Sequence, residues 1–202
     1  MTALDMPQLL ALAAAIGWAS GVRLYLVVLL IGLAGYLGWF ALPDGLHLLA
    51  HPVVLATSGF MVFVEFFADK IPGLDSLWDM VHTVIRIPAG AALAASVFGG
   101  DHAVMALVAA LLGGGFAATA HAAKATTRAA ANTSPEPFSN IGLSLLGDAA
   151  VPALLWLAWE HPLWALAALA AGITLAVVLI VVFYKFLRAL LRRFVPAPRA
   201  AA

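Results

Sequence analysis

The chain has 202 residues, 64% of them hydrophobic and only 10% charged, with ten basic and ten acidic side chains and a mean hydropathy of +1.05. A soluble domain carries about 25% charged residues, so this chain has too few to cover a water-facing surface, and lipid must be much of its solvent. The balanced charge gives no reason to expect a nucleic-acid partner. The absence of cysteine excludes disulfides, thiolate metal sites and cysteine nucleophiles.

Met1-Thr2-Ala3-Leu4-Asp5 has no basic stretch, so no cleaved signal peptide is expected. The first apolar run, from Met6 to Leu42, is too long for one crossing of roughly 20 residues. Ser20-Gly21-Val22-Arg23 interrupts it. The reading is a short N-terminal helix lying on or dipping into the membrane, then a crossing over 22–42 that ends at Pro43-Asp44-Gly45. A crossing over 52–70 carries Glu65 and Asp69 in its last turns and is broken by Pro72-Gly73. The next stretch, near 74–98, joins an amphipathic piece to an apolar run through Pro88. It is either one kinked helix or a re-entrant hairpin. After Gly99-Gly100-Asp101 a long helix spans 102–132, with Gly113-Gly114-Gly115 positioned for close packing. The loop 133–137 leads to crossings over 138–159 and 163–187, and residues 188–202 form a basic, frayed cytoplasmic tail.

These segments predict an all-α, polytopic transmembrane helical bundle. It has about five crossings plus a short N-terminal helix, with the kinked or re-entrant segment near 74–98, in a single domain over residues 1–187. The basic cluster Lys185, Arg188, Arg192, Arg193 and Arg199 marks the C-terminal end as cytoplasmic. If 78–98 crosses as one helix, all ten basic residues lie near that face, whereas the turns at Asp44, Asp101 and Glu160 contain none. The location expected is a bacterial inner membrane.

The polar residues form stripes at helical spacing. Glu65 and Asp69 share one face, as do Asp75, Asp79, His82 and Arg86. His121, Lys124, Arg128 and Asn132 follow on the long helix, and Asn140, Ser144 and Asp148 step by four on the next. Isolated charges at bilayer depth are costly, so these stripes should turn inward and pair, or line a hydrated cavity open to the cytoplasm. Asp75, Asp79 and His82 could ligate a divalent cation. Lys124 and Arg128 beside His121 suit an anion such as a phosphate or a phospholipid headgroup. Arg23, Lys70 and Arg86 complete the basic set. His47, His51, His102 and His161 read as solvated. Trp39, Trp159 and Trp164, with Trp78 and Trp18 on the inner side, read as interface anchors. No Gly-x-Ser-x-Gly, His-Glu-x-x-His or P-loop occurs, and no catalytic residue is assigned.

The stretch from Glu65-Phe66-Phe67-Ala68-Asp69-Lys70 through Asp75, Asp79, His82 and Arg86 to Pro88 resembles the signature of a bacterial membrane family known as domain of unknown function 4126. Gly21-Val22-Arg23-Leu24-Tyr25 and the region from His121 to Asp148 resemble the same family. The resemblance implies a shared fold and carries no activity. From the residues, the leading expectation is a small transporter or channel-like protein for an anionic or phosphate-bearing solute or lipid. Its site would be Arg23, Glu65, Asp69, Lys70, Arg86, His121, Lys124, Arg128, Asn132, Asn140 and Asp148, with proton or cation coupling. The rivals are a metal-assisted enzyme acting on lipid headgroups and a non-catalytic scaffold locked by ion pairs. Either way the chain needs a lipid bilayer, and a homo-oligomer would help a bundle this small to enclose a pathway.

Overall fold

The computed structural model describes residues 4–71, 73–100, 102–132 and 138–194, the last five of them as backbone only. Among these residues every regular element is helical: α1 (Met6–Tyr36), a 3-10 helix (Asp44–Ala50), α2 (Pro52–Ala68), α3 (Leu74–Ser96), α4 (Ala103–Ala131), α5 (Phe138–Glu160) and α6 (Pro162–Phe194). Four of the helices, α1, α4, α5 and α6, are long and apolar enough to cross a membrane. A fifth span results if the 3-10 helix and α2, bent by 69° across the break at His51, count as one.

α1 is not straight. Asp5 caps its start through a reciprocal capping box with Gln8. Arg23, with φ −145° and ψ 75°, leaves helical geometry in the middle. A straight helix of 31 residues would be about 46 Å long at ~1.5 Å per residue. Yet Gln8 donates to the Trp159 carbonyl while Phe40 packs on the Trp159 ring. Leu12 and Ile31 also line one cavity. α1 therefore folds back on itself at Arg23. Its first arm, far from lying on the membrane surface, is the core of the bundle: Ala11, Leu12, Ala15, Ile16 and Ala19 are all buried. The Ser20-Gly21 break was legible, but this arm is flanked by α3, α4, α5 and α6, and only tertiary packing puts it there.

The remaining helices alternate in direction. α3 runs unbroken through Pro88 from Leu74 to Ser96, so the stretch near 74–98 is one helix and not a re-entrant hairpin. Its sides are reversed relative to a soluble helix. Asp75, Asp79, His82 and Arg86 are buried, while Leu77, Met80, Val81, Val84 and Ile85 are exposed. That pattern suits apolar surroundings, where charged groups turn to the bundle interior. The turn at Asp101, the loop 133–137 and residues 195–202 lie outside the described residues. α6 continues to Phe194, past the expected end at Leu187, so residues 188–194 belong to the helix.

Small residues set the central contacts. Gly17 packs on Gly113, Gly21 on the Ala117 backbone, and Gly90 on Ala117, drawing α1, α3 and α4 together.

Candidate functional site

The helix ends that face one another across the α2–α3 turn and the α4–α5 connection gather the charged stripes into one cluster. Five acids, Glu65, Asp69, Asp75, Asp79 and Asp148, meet five bases, Arg23, Lys70, Arg86, Lys124 and Arg128. The formal charges cancel. Arg86 lies about 18 Å along α3 from its first residue at ~1.5 Å per residue, more than half of a hydrocarbon layer of roughly 30 Å.

Asp69, at the end of α2, is the hub. It accepts from Arg23 at 2.5 Å, from Arg128 at 2.9 Å and from Lys124 at 3.1 Å. Arg23 reaches it because the break in α1 places this side chain at the fold-back. Deeper in, Arg86 is fully buried and bonds both Glu65 and, at 2.7 Å, Asp79. Lys124 links the two layers, lying 3.0 Å from Asp79 and 3.3 Å from the Val22 carbonyl at the break in α1. Arg128 donates at 2.9 Å to the Asp69 carbonyl. Asp75 has a different task. Its Oδ1 accepts from the Gly73 and Ser76 amides at 2.8 and 2.6 Å, capping the start of α3, where a carboxylate also meets the positive end of the helix dipole. Asn132 donates to Asp75 and accepts from Asn140, tying α5 to the group.

The two histidines have assignable tautomers. An arginine can only donate, so Arg86 Nη1, 3.3 Å from His121 Nδ1, makes that nitrogen an acceptor and puts the proton on Nε2, which faces Thr83 Oγ1 at 2.7 Å. His82 Nδ1 donates to the Trp78 carbonyl at 2.8 Å, leaving Nε2 to accept from the Tyr25 hydroxyl at 3.0 Å. Trp78, expected as an inner-side anchor, is half-buried and stacks on the His82 ring. Tyr25 and Thr83 were not singled out as site residues, since neither carries charge nor extends a stripe. Removing the Tyr25 hydroxyl strands the His82 nitrogen. Tyr25→Phe is therefore expected to cost about 1 kcal/mol, read as a drop in detergent melting midpoint, with no change in the helix content seen by circular dichroism.

All eleven expected binding residues meet in this cluster or on its edge, but the expected trio of Asp75, Asp79 and His82 does not converge. Each turns to a different partner, respectively Asn132, Arg86 and Tyr25, and no group of three such side chains able to hold a metal occurs among the described residues. The reason is the competing cations: Arg86, Lys124 and Arg128 already occupy the positions around Asp79. The open cytoplasmic cavity expected from the stripes is likewise closed, the side chains being packed on one another. A larger cavity, about 540 Å³, lies at the opposite end of the bundle between Leu9, Leu42, Val97 and Phe98. Only Asp148 and Lys70 reach the rim appreciably, 27% and 20% exposed. Desolvation holds Lys70, in the α2–α3 turn, below the ordinary lysine value despite the opposing pull of Asp148.

A family model described as Domain of unknown function (DUF4126) matches residues 10–182, which takes in most of α1, all of α2 to α5, most of α6 and every residue of the cluster. The chain belongs to the DUF4126 family. No curated protein and no solved structure matches it. The family model thus covers the whole charged cluster and supplies no reaction for it.

Proposed function

We infer that this DUF4126 chain is a small transporter of a charged solute, with the ten-charge cluster as its substrate and coupling site. One observation carries the reading. The bundle gathers five acids and five bases into one charge-balanced cluster and closes in eight of them, although its glycine and alanine contacts already hold α1, α3 and α4 together. Buried ion pairs add little or no net stability over apolar residues of similar volume, and in apolar surroundings they are expensive. A chain that keeps so many is using them for more than packing. Two features fit transport. The site borders a break in α1, where the Val22 carbonyl and Arg23 both join the polar network, as interrupted helices do at transport sites. The network also runs without interruption from the rim at Asp148 and Lys70 to Arg86 deep inside.

In this conformation the site is occluded. Because the cluster is neutral, an ion entering it needs a compensating proton or counter-ion, which is the basis of coupling. The charged end faces the cytoplasm, following the placement of Lys185 and Arg188 at the same end as the cluster. The test is reconstitution into liposomes with an entrapped pH dye, followed by imposed gradients of small carboxylates, phosphate, sulfate or alkali cations. Solute-dependent proton movement above protein-free liposomes is expected. If none of these gradients moves protons or solute, the transport reading fails.

A second reading has its own support: every one of the ten charges is directly paired, as a purely structural lock would require. On that reading the cluster only fixes helix register, and a charge-balanced neutral replacement would leave all activity intact.

A further inference from the structure

Eight of the ten charged side chains are closed in; the remaining two, Asp148 and Lys70, share one corner with Arg23 and Ser144. Arg23 Nη2 donates to Asp148 Oδ1 at 2.9 Å, to Ser144 Oγ at 2.8 Å and to the Ser144 carbonyl at 3.2 Å. Lys70 Nζ donates to Ser144 Oγ at 3.2 Å and stands 3.9 Å from Asp148 Oδ2. That second carboxylate oxygen is buried and accepts no hydrogen bond. Arg23 does not depend on Asp148 for its position, because its other nitrogen is fixed by Asp69 and because Gly147 lets it lie close against α5. Two cationic donors therefore converge on one loosely held carboxylate at the accessible edge of the site.

We propose that Arg23, Lys70 and Ser144 form an exchangeable anion seat, filled here by the Asp148 carboxylate and taken by an external oxyanion of the carboxylate or phosphate type when Asp148 carries a proton. The proposal rests on the transport reading for its purpose, but not for the binding itself. Charge bookkeeping sets the coupling: a monoanion in the seat and a proton on Asp148 leave the cluster neutral, so one proton accompanies each single negative charge. A cation is excluded from this corner by Arg23 and Lys70. The charged groups facing Asp148 are Arg23 from α1 and Lys70 from the α2–α3 turn, with Asp69 behind Arg23 and Ser144 on its own helix. Removing the charge of Asp148, by a proton or by Asp148→Asn, frees the seat, so an anion should bind more strongly wherever that carboxylate is neutral. The oxyanion can come from a dissolved solute or from a lipid headgroup, and the two are separable.

The experiment measures melting midpoints of the wild type and of Asp148→Asn with sulfate, which stays dianionic across pH 5–8, against chloride at matched ionic strength. It is repeated in nanodiscs with and without phosphatidylglycerol. Asp148→Asn should be stabilised by sulfate at neutral pH, while the wild type should gain the same response only on acidification. Adding Lys70→Gln to Asp148→Asn should weaken the sulfate response about ten-fold, the loss of one charge-assisted hydrogen bond. A response to sulfate identifies a dissolved oxyanion. A response confined to phosphatidylglycerol identifies a headgroup, and either supports the seat. A folded Asp148→Asn that responds to neither overturns it. If that variant does not fold, the acid response of the wild type decides in the same way. Sulfate binding without vesicle flux keeps the seat and removes the transport reading; flux without any sulfate or lipid response does the reverse.

Discussion

Replacing Arg86 with methionine is expected to lower the melting midpoint in detergent by about 10 °C or to unfold the protein outright. Arg86 is fully buried in α3, and its guanidinium pairs with both Glu65 and Asp79, with His121 accepting a third bond. Methionine fills much of the space but leaves Glu65 with no cation nearer than 3.9 Å, and Asp79 with one close cation fewer, in a low-dielectric interior. Lys124 already divides itself between Asp69 and Asp79 and lies 3.9 Å from Glu65, so it cannot replace the lost cation. Breaking one side of a buried ion pair costs about 3–5 kcal/mol. In a domain of this size each kcal/mol is worth roughly 2–4 °C. A variant that melts within a degree or two of the wild type would mean that Glu65 and Asp79 are not confined as the structure has them.

The second large effect is steric. A side chain at Gly21 would meet the backbone of Ala117, whose Cα and carbonyl carbon would lie 2.9 Å from the new Cβ. Backbone cannot rotate away as a flexible side chain can, so Gly21→Ala should cost about 1–3 kcal/mol. The damage should also reach the charged cluster, because Gly21 lies two positions before Arg23, and parting α1 from α4 moves Arg23 off Asp69. Gly115 provides the control. A Cβ there meets nothing within 4 Å, so Gly115→Ala should be neutral or should gain up to about 1 kcal/mol from helix propensity. Thermal melts of the two variants side by side distinguish a loss of helix–helix fit from a general sensitivity to glycine replacement.

Much of this was legible in the sequence, for physical reasons that also mark where legibility stops. Apolar runs of spanning length announce helices whatever the tertiary structure, and charges at three- and four-residue spacing must share a face. The stripes of α2 to α5 therefore emerged with their members in place. Complementary sign predicted that they would meet. Which carboxylate meets which cation was not legible: Asp69 at the hub, Asp75 as a helix cap and Asp148 at the rim have the same side chain in similar local patterns. Spacing made Asp75, Asp79 and His82 resemble a ligand set, but spacing along one helix says nothing of the cations that α4 brings against it. The fold-back of α1 was half visible, since Ser20-Gly21 signals a break but no local signal puts the first arm at the centre of the bundle. Tyr25 and Thr83 escaped notice because a hydroxyl near a histidine has no sequence signature.

The central claim is that the cluster serves transport and not packing alone. The most direct test is proton flux through liposomes containing Glu65→Gln/Arg86→Gln, in which one acid and one base are neutralised together and the remaining four pairs stay balanced. Asp79 keeps its contact with Lys124, so this double variant should fold and melt well above Arg86→Met. The transport account predicts a folded protein whose solute-coupled proton flux is lost or greatly reduced. A folded double variant with wild-type flux would contradict it and leave the deep ion pairs as a structural lock.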